Sequence, residues 1–126
     1  MPKKRVFVSF DFDNDTALKD FIIGQAGLPD SPFEVIDHSL KEAAPTVPWE
    51  YKARQAIKRS DVVLVMVGRN THRAPGVLQE VRIAREEGIP ILQVIGYKQG
   101  DYTPVPDAGH LYRWNWKNLK SLLSLR

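Results

Sequence analysis

Cysteine is absent from the chain, which excludes disulfide bonds, a thiolate nucleophile and any cysteine-ligated zinc. Long apolar runs are absent too. The longest, VVLVMV from Val62 to Val67, is far short of the roughly 20 residues a membrane-spanning helix needs. Lys3, Lys4 and Arg5 open the chain, but Asp11 and Asp13 interrupt the apolar residues after them, so no signal peptide is expected and a cytoplasmic protein is. No Gly-x-Gly-x-x-Gly turn comes after the first apolar stretch and no Walker A lysine motif occurs, so neither a dinucleotide-binding dehydrogenase nor a P-loop enzyme fits. His38, His72 and His110 fall in three different loops without metal-ligand spacing, so no metal site is expected.

The residues that are present have the balance of a folded soluble protein. Hydrophobic residues make up 43% and charged ones 26% of 126 residues, enough apolar material for one core but too short a chain for two. A single domain, 1–126, is expected. The net charge of +3 is scattered, which suits an anionic small ligand; nucleic acid is not an expected partner.

Strand-like and helix-like segments alternate. RVFVSF (Arg5 to Phe10) has the β-branched and aromatic content of a buried strand, followed by the polar turn DFDND. Asn14 or Asp15 suits the cap of a helix with Leu18, Phe21, Ile22 and Ala26 at helical spacing, ended by Gly27 and Pro29. FEVI (Phe33 to Ile36) reads as a second strand. A helix starting near Thr46 and Pro48 then places Trp49, Ala53, Ala56 and Ile57 on one face. Val62 to Val67 reads as the central strand of a sheet covered on both sides. A third helix runs from about Pro75 to Glu87, with Gly88 past its end, and PILQVI (Pro90 to Ile95) forms a fourth strand. Gly96 to Gly109 reads as a long surface loop, followed by a short strand, Leu111 to Trp114, and a last helix, Trp116 to Leu125. This alternation predicts a flavodoxin-like, doubly wound α/β fold with five parallel strands and helices on both faces. In such sheets the ligand crevice lies beyond the carboxyl ends of the strands, here the loops DFDND, DHS and GRNTHRAP.

One carboxylate stands out by position. Val77, Leu78, Val81 and Ala84 define the buried stripe expected of the third helix, and Glu80 lies beside it in the helix half nearest the crevice. Glu87 lies two turns further on, and Glu86 points outward. A helical glutamate is commonly a solvated charge or a weak ion pair, so position rather than residue type makes Glu80 a candidate. With an ordinary pKa near 4.3, it is expected to be ionised at neutral pH unless deeply buried.

The stretches RVFVSFDFDND, FEVIDHS and IKRSDVVLVMVGRNTHRAPGVLQEVRIAREEGIPILQVI resemble the TIR-like domains of bacterial anti-phage defence systems, especially the Thoeris type. The resemblance runs from about Arg5 to Leu123. It implies a flavodoxin-like fold, a catalytic glutamate at the place of Glu80, and cleavage of NAD at the nicotinamide–ribose bond, in some members with closure to a cyclic ADP-ribose signal. NAD is then the substrate, with no separate cofactor. The implied partners are NAD or a related nucleotide and, for assembly, a homo-oligomer, other TIR-like copies or an effector protein. The chain departs from the family pattern S-x-W-V-x-x-E, carrying Ala74 for the serine and Gly76 for the tryptophan.

Around Glu80 the loops supply further candidates. Phe10 suits stacking on a base and equally a core aromatic at a strand end. Asp11 and Asn14 suit ribose or amide contacts, and also a turn and a cap. Asp37 and Ser39 close the second strand and border the expected crevice. Arg69, ahead of Arg73, suits pyrophosphate, because a guanidinium presents a fork of donors to phosphate oxygens. Thr71 is expected to bond the loop backbone first and to touch ligand second. The other reading of the same fold is a non-catalytic interaction module. A response-regulator receiver does not fit, because VVLVMVG ends without the phosphoacceptor aspartate.

Overall fold

The computed structural model of the chain describes residues 4–11, 15–29, 31, 33–36, 47–97 and 100–114. Within them the expected alternation of elements appears: β1 (Lys4–Ser9), α1 (Thr16–Ala26), β2 (Phe33–Val35), α2 (Val47–Lys58), β3 (Val62–Val67), α3 (Pro75–Glu86), β4 (Ile91–Ile95) and β5 (Leu111–Arg113). Every strand pairing is parallel, in the order β2-β1-β3-β4-β5. This is the flavodoxin-like order.

The sheet is covered on both faces because its strands are apolar on both. All six side chains of β3 are fully buried, as a central parallel strand demands. On one face Val6, Val8, Phe10, Leu64, Met66, Leu92 and Val94 pack with Leu18 and Ile22 of α1. On the other, Phe7, Val63, Val65 and Val67 meet Ala53, Ala56 and Ile57 of α2 and Val77, Val81, Ile83 and Ala84 of α3. Each buried Leu, Ile, Phe or Val contributes roughly 1.5–3 kcal/mol relative to exposure. Ion pairs on the outer surface of α2 and α3, Arg54 to Glu86 and Glu87 and Arg82 to Glu50, are solvent-accessible and add little to this.

The helix ends obey local chemistry. Pro75 opens α3, where a missing N–H costs nothing. Gly88 lies just past its end at φ 71, a conformation that glycine adopts without steric cost. Asp15 is the N-cap residue of α1, yet its side chain makes no cap hydrogen bond, because it is used elsewhere.

Two expectations are corrected. Leu78 is 37% exposed, so the buried stripe of α3 runs through Val77, Glu80, Val81, Ile83 and Ala84 instead. The stretch after β4 is only partly a surface loop: Val105 and Ala108 are buried in the core. Trp114 meets Phe21 of α1 edge-to-face at 4.7 Å. The expected last helix, Trp116 to Leu125, lies outside the described residues.

Gln93 explains how the loop after β4 becomes core. It is the polar side chain on an otherwise apolar β4, fully buried. Its amide nitrogen donates to the carbonyls of Val105 at 3.2 Å and Gly109 at 2.7 Å, and its oxygen accepts the N–H of Val105 at 2.7 Å. One side chain thus satisfies three backbone groups that could not otherwise be buried. Gln93→Leu is expected to cost about 3 kcal/mol or more in urea unfolding, since the loop's groups lose partners together. A loss below about 1 kcal/mol would show that the loop does not depend on Gln93.

Candidate active site

The chain leaves β1 for β2 on one side and, after β3, turns to β4 on the other. The strand order therefore reverses between β1 and β3, and a crevice opens beyond their carboxyl ends. Ser9 ends β1, Gly68 comes directly after β3, and Tyr97 lies two residues beyond β4.

Glu80 enters this region from α3. It is 8% exposed and accepts a hydrogen bond at 2.6 Å from the hydroxyl of Ser9, itself fully buried. The two residues are 71 apart in sequence; the packing of α3 on the sheet brings them together. Burial pushes the Glu80 carboxyl up to about 8, and the Ser9 hydroxyl opposes that rise only in part. Glu80 thus meets the exception of deep burial: it holds its proton at neutral pH, because desolvation of the anion outweighs one donor.

A second buried acid lies at the same end of the sheet. Asp15 is 5% exposed. Its carboxylate accepts the hydroxyl of Tyr97 at 2.7 Å and that of Thr71 at 3.4 Å, tying the loops after β1, β3 and β4 together. Burial raises its pKa, the Tyr97 bond opposes the rise, and the charge of Asp11 adds to it. Burial, and after it the bond to Asp15, also drives the Tyr97 phenol above its ordinary range. Gly68 makes this packing available, since a Cβ there would strike the Asp15 carboxylate. Above these groups opens a cleft of about 330 Å³ lined by Asp15, Arg69, Asn70, Tyr97 and Tyr102. No set of three or more metal-ligating side chains assembles among the described residues. None of the helices there is long and apolar enough to cross a membrane.

With this geometry in hand, comparison with known families is decisive. The model of the Thoeris protein ThsB, TIR-like domain, matches residues 7–100. The chain belongs to that family. No curated protein matches it. Membership ties the TIR-like domain to a TIR-type role in defence, and the match runs from within β1 past β4 and includes Ser9, Asp15, Thr71, Glu80 and Tyr97.

The residues expected to form the site in this TIR-like domain separate into groups. Glu80 is buried on Ser9 at the carboxyl end of β1 rather than solvated, and it is not among the residues lining the 330 Å³ cleft. Arg69 is exposed on the cleft wall. Asp11 is buried, and its carbonyl accepts the Asp15 N–H at 2.8 Å. Phe10 takes the core alternative: it is 7% exposed and packs with Leu18 and Met66. Thr71 is fully buried, its hydroxyl accepting the Gly68 N–H at 2.7 Å, so it bonds the loop backbone, the first of its two expected uses. Arg73 is engaged by Asn70. Asn14, Asp37 and Ser39 lie outside the described residues. Sequence reasoning missed Ser9, Asp15, Asn70, Tyr97 and Tyr102. Ser9 left a signal, a hydroxyl at an inward position of an apolar strand; Tyr97 left none beyond its place just after a strand.

The buried carboxyl makes stability pH-dependent. The folded state keeps a proton that the unfolded chain releases above the ordinary value of 4.5. Its stabilising contribution is thus complete below about 4.5 and is lost as pH rises to about 8. The slope is about 1.4 kcal/mol per pH unit within that window. Glu80→Gln keeps the shape and cannot ionise, so chemical denaturation should find it close to the parent at pH 4.5 and more stable than the parent by a few kcal/mol above about 8. Parallel pH profiles for the two proteins would contradict a buried, proton-holding Glu80.

Proposed function

We propose that this TIR-like domain cleaves the nicotinamide–ribose bond of NAD in the cytoplasm, producing an ADP-ribose or cyclic ADP-ribose type signal in defence. The observation that carries the reading is a carboxyl, Glu80, buried at the carboxyl end of β1 and bonded by the Ser9 hydroxyl, in a chain of the Thoeris TIR-like family.

The chemistry is governed by charge. As the C–N bond breaks, its electron pair leaves with nicotinamide, which departs neutral, and the ribose becomes an oxocarbenium-like cation. A carboxylate held beside that cation stabilises it without reorganising. Glu80 is neutral in the empty site, but NAD brings its own positive pyridinium ring, and an opposite charge nearby favours ionisation. Substrate binding thus releases the proton and creates the charge where it is needed. Water then adds to the ribose, losing a proton to give ADP-ribose, or an adenine nitrogen closes the ring. Asp11 and Arg69 serve as ribose and pyrophosphate contacts, with Asn14, Asp37 and Ser39 assigned to the same ligand; Phe10 and Thr71 support from behind.

A second reading, a non-catalytic module that pairs with other copies or an effector, is favoured by the near-complete burial of Glu80 and by Gly76 where family members often carry an aromatic. Purified protein incubated with NAD at low and high concentration separates the two. The enzyme releases nicotinamide, seen by chromatography; Glu80→Gln lowers that release on the order of a hundredfold with unchanged circular dichroism; and kcat/KM rises with pH to a plateau above about 8. Equal release from both proteins removes Glu80 from the mechanism. No release at any concentration, with self-association in sedimentation, establishes the module.

A further inference from the structure

The side of α3 turned away from Glu80 bears features that the crevice chemistry leaves unused. Leu78, Arg82 and Arg85 recur there at helical spacing and form one stripe. Leu78 is a large apolar side chain left 37% exposed. With Val81 and Pro106 it lines a groove of about 250 Å³ between α3 and the loop after β4. A second hollow of about 230 Å³, with Ile89, Ile91 and Ala108 in its lining, adjoins the first, and Arg85 and Asp107 line both. The two run together as one groove, apolar at each end and polar in the middle, where Arg85 donates to the Asp107 carbonyl at 3.1 Å. Its loop wall is fixed from beneath, because the buried Gln93 side chain holds Val105 and Gly109 on either side of Asp107.

The charges of this groove are unevenly spent. Glu86 accepts Arg54 at 2.7 Å. Arg82 gives one nitrogen to Glu50 at 2.7 Å, and Arg85 gives one to a neutral carbonyl. The remaining donors of both arginines have no partner among the described residues. Two cations with donors to spare thus stand one helical turn apart, beside an exposed leucine, and the chemistry that complements them is a carboxylate next to an apolar anchor. Seven residues of helix separate Leu78 from Arg85, about 10 Å, which an extended chain covers in about three residues. We propose that this groove docks an extended, acidic segment of a partner protein, in which an apolar side chain is followed about three residues later by a carboxylate. The apolar side chain lies on Leu78, Val81 and Pro106, the carboxylate on Arg82 and Arg85, and Asp107 accepts from the backbone of the segment. A second copy of the chain is the poorer match, since among the described residues this face sets one unspent carboxylate, Asp107, against two arginines. Because Gln93 holds the loop wall in place, docking costs little ordering on this side. The inference goes beyond the NAD reading and does not rest on it.

Selection of a phage-displayed library of random short peptides on the immobilised chain tests the groove, followed by calorimetry with the best peptide as a synthetic ligand. The selected peptides are expected to share an apolar residue with Asp or Glu about three residues after it. Changing that acid to its amide should weaken binding about tenfold or more, and so should Leu78→Ser and Arg85→Glu. Added salt should weaken it as well. Arg85 also holds the loop, so Arg82→Glu, whose side chain bonds only Glu50 among the described residues, provides the second charge variant and should show the same loss. Glu80→Gln should bind the peptide as the parent does. Failure to select any peptide overturns the docking site, as do selected peptides without a shared acid, or affinity unmoved by Leu78→Ser and by Arg82→Glu. Self-association in sedimentation that Leu78→Ser abolishes assigns the face to a second copy and overturns it too. Peptide binding without nicotinamide release keeps the groove and removes only the cleavage.

Discussion

The pairing of β1 with β3 is the constraint on which the rest of the site depends. Their register sets Ser9 beside Val65, and the chain turns away in opposite directions from these two strands, which opens a crevice beyond them. Ser9 reaches Glu80 from one side of the sheet. The loop after β1 carries Asp15 onto Gly68 and Thr71 of the loop after β3. A shift of β1 by one residue would reverse every side chain across the sheet, moving Ser9 away from Glu80 and Phe7 out of its core.

Two buried acids sit in this region under different terms. Asp15 has hydroxyl partners from Tyr97 and Thr71, which offset part of its desolvation. Among the described residues Glu80 has only Ser9, and its pKa is pushed up to about 8. A buried anion with too few donors is unfavourable, and the group answers by keeping its proton. The structural role and the proposed chemical role of Glu80 thus meet in one property: a carboxyl that burial keeps protonated and that, in the proposed reaction, the substrate's cation ionises. The Asp15 network is a framework by comparison, joining three loops through one carboxylate.

Much of the fold was legible because its signals are local. The apolar run Val62–Val67, the glycines after helices and the proline opening α3 each act within a few residues, and together they specify element type and order. Glu80 was legible as a position, since helical periodicity places it near the sheet. Its protonation was not, because that depends on Ser9 and on burial by residues far away in sequence. Leu78 misled because an apolar residue beside a buried stripe reads as part of it, while the polar Glu80 occupies the inward position. Asp15 read as a helix cap, a common use for aspartate at that place, and only the tertiary arrival of Tyr97 and Thr71 redirects it. Gln93 likewise gives no hint in sequence that a loop 12 and 16 residues later will close on it.

The central claim concerns the charge on one carboxyl, and the most direct measurement is the carbon-13 resonance of the Glu80 carboxyl tracked across pH, assigned by its absence in Glu80→Gln. The account predicts a midpoint near 8 in the free protein and a lower midpoint when a non-cleavable NAD analogue is bound. A midpoint near the ordinary 4.5, unmoved by the analogue, would contradict it.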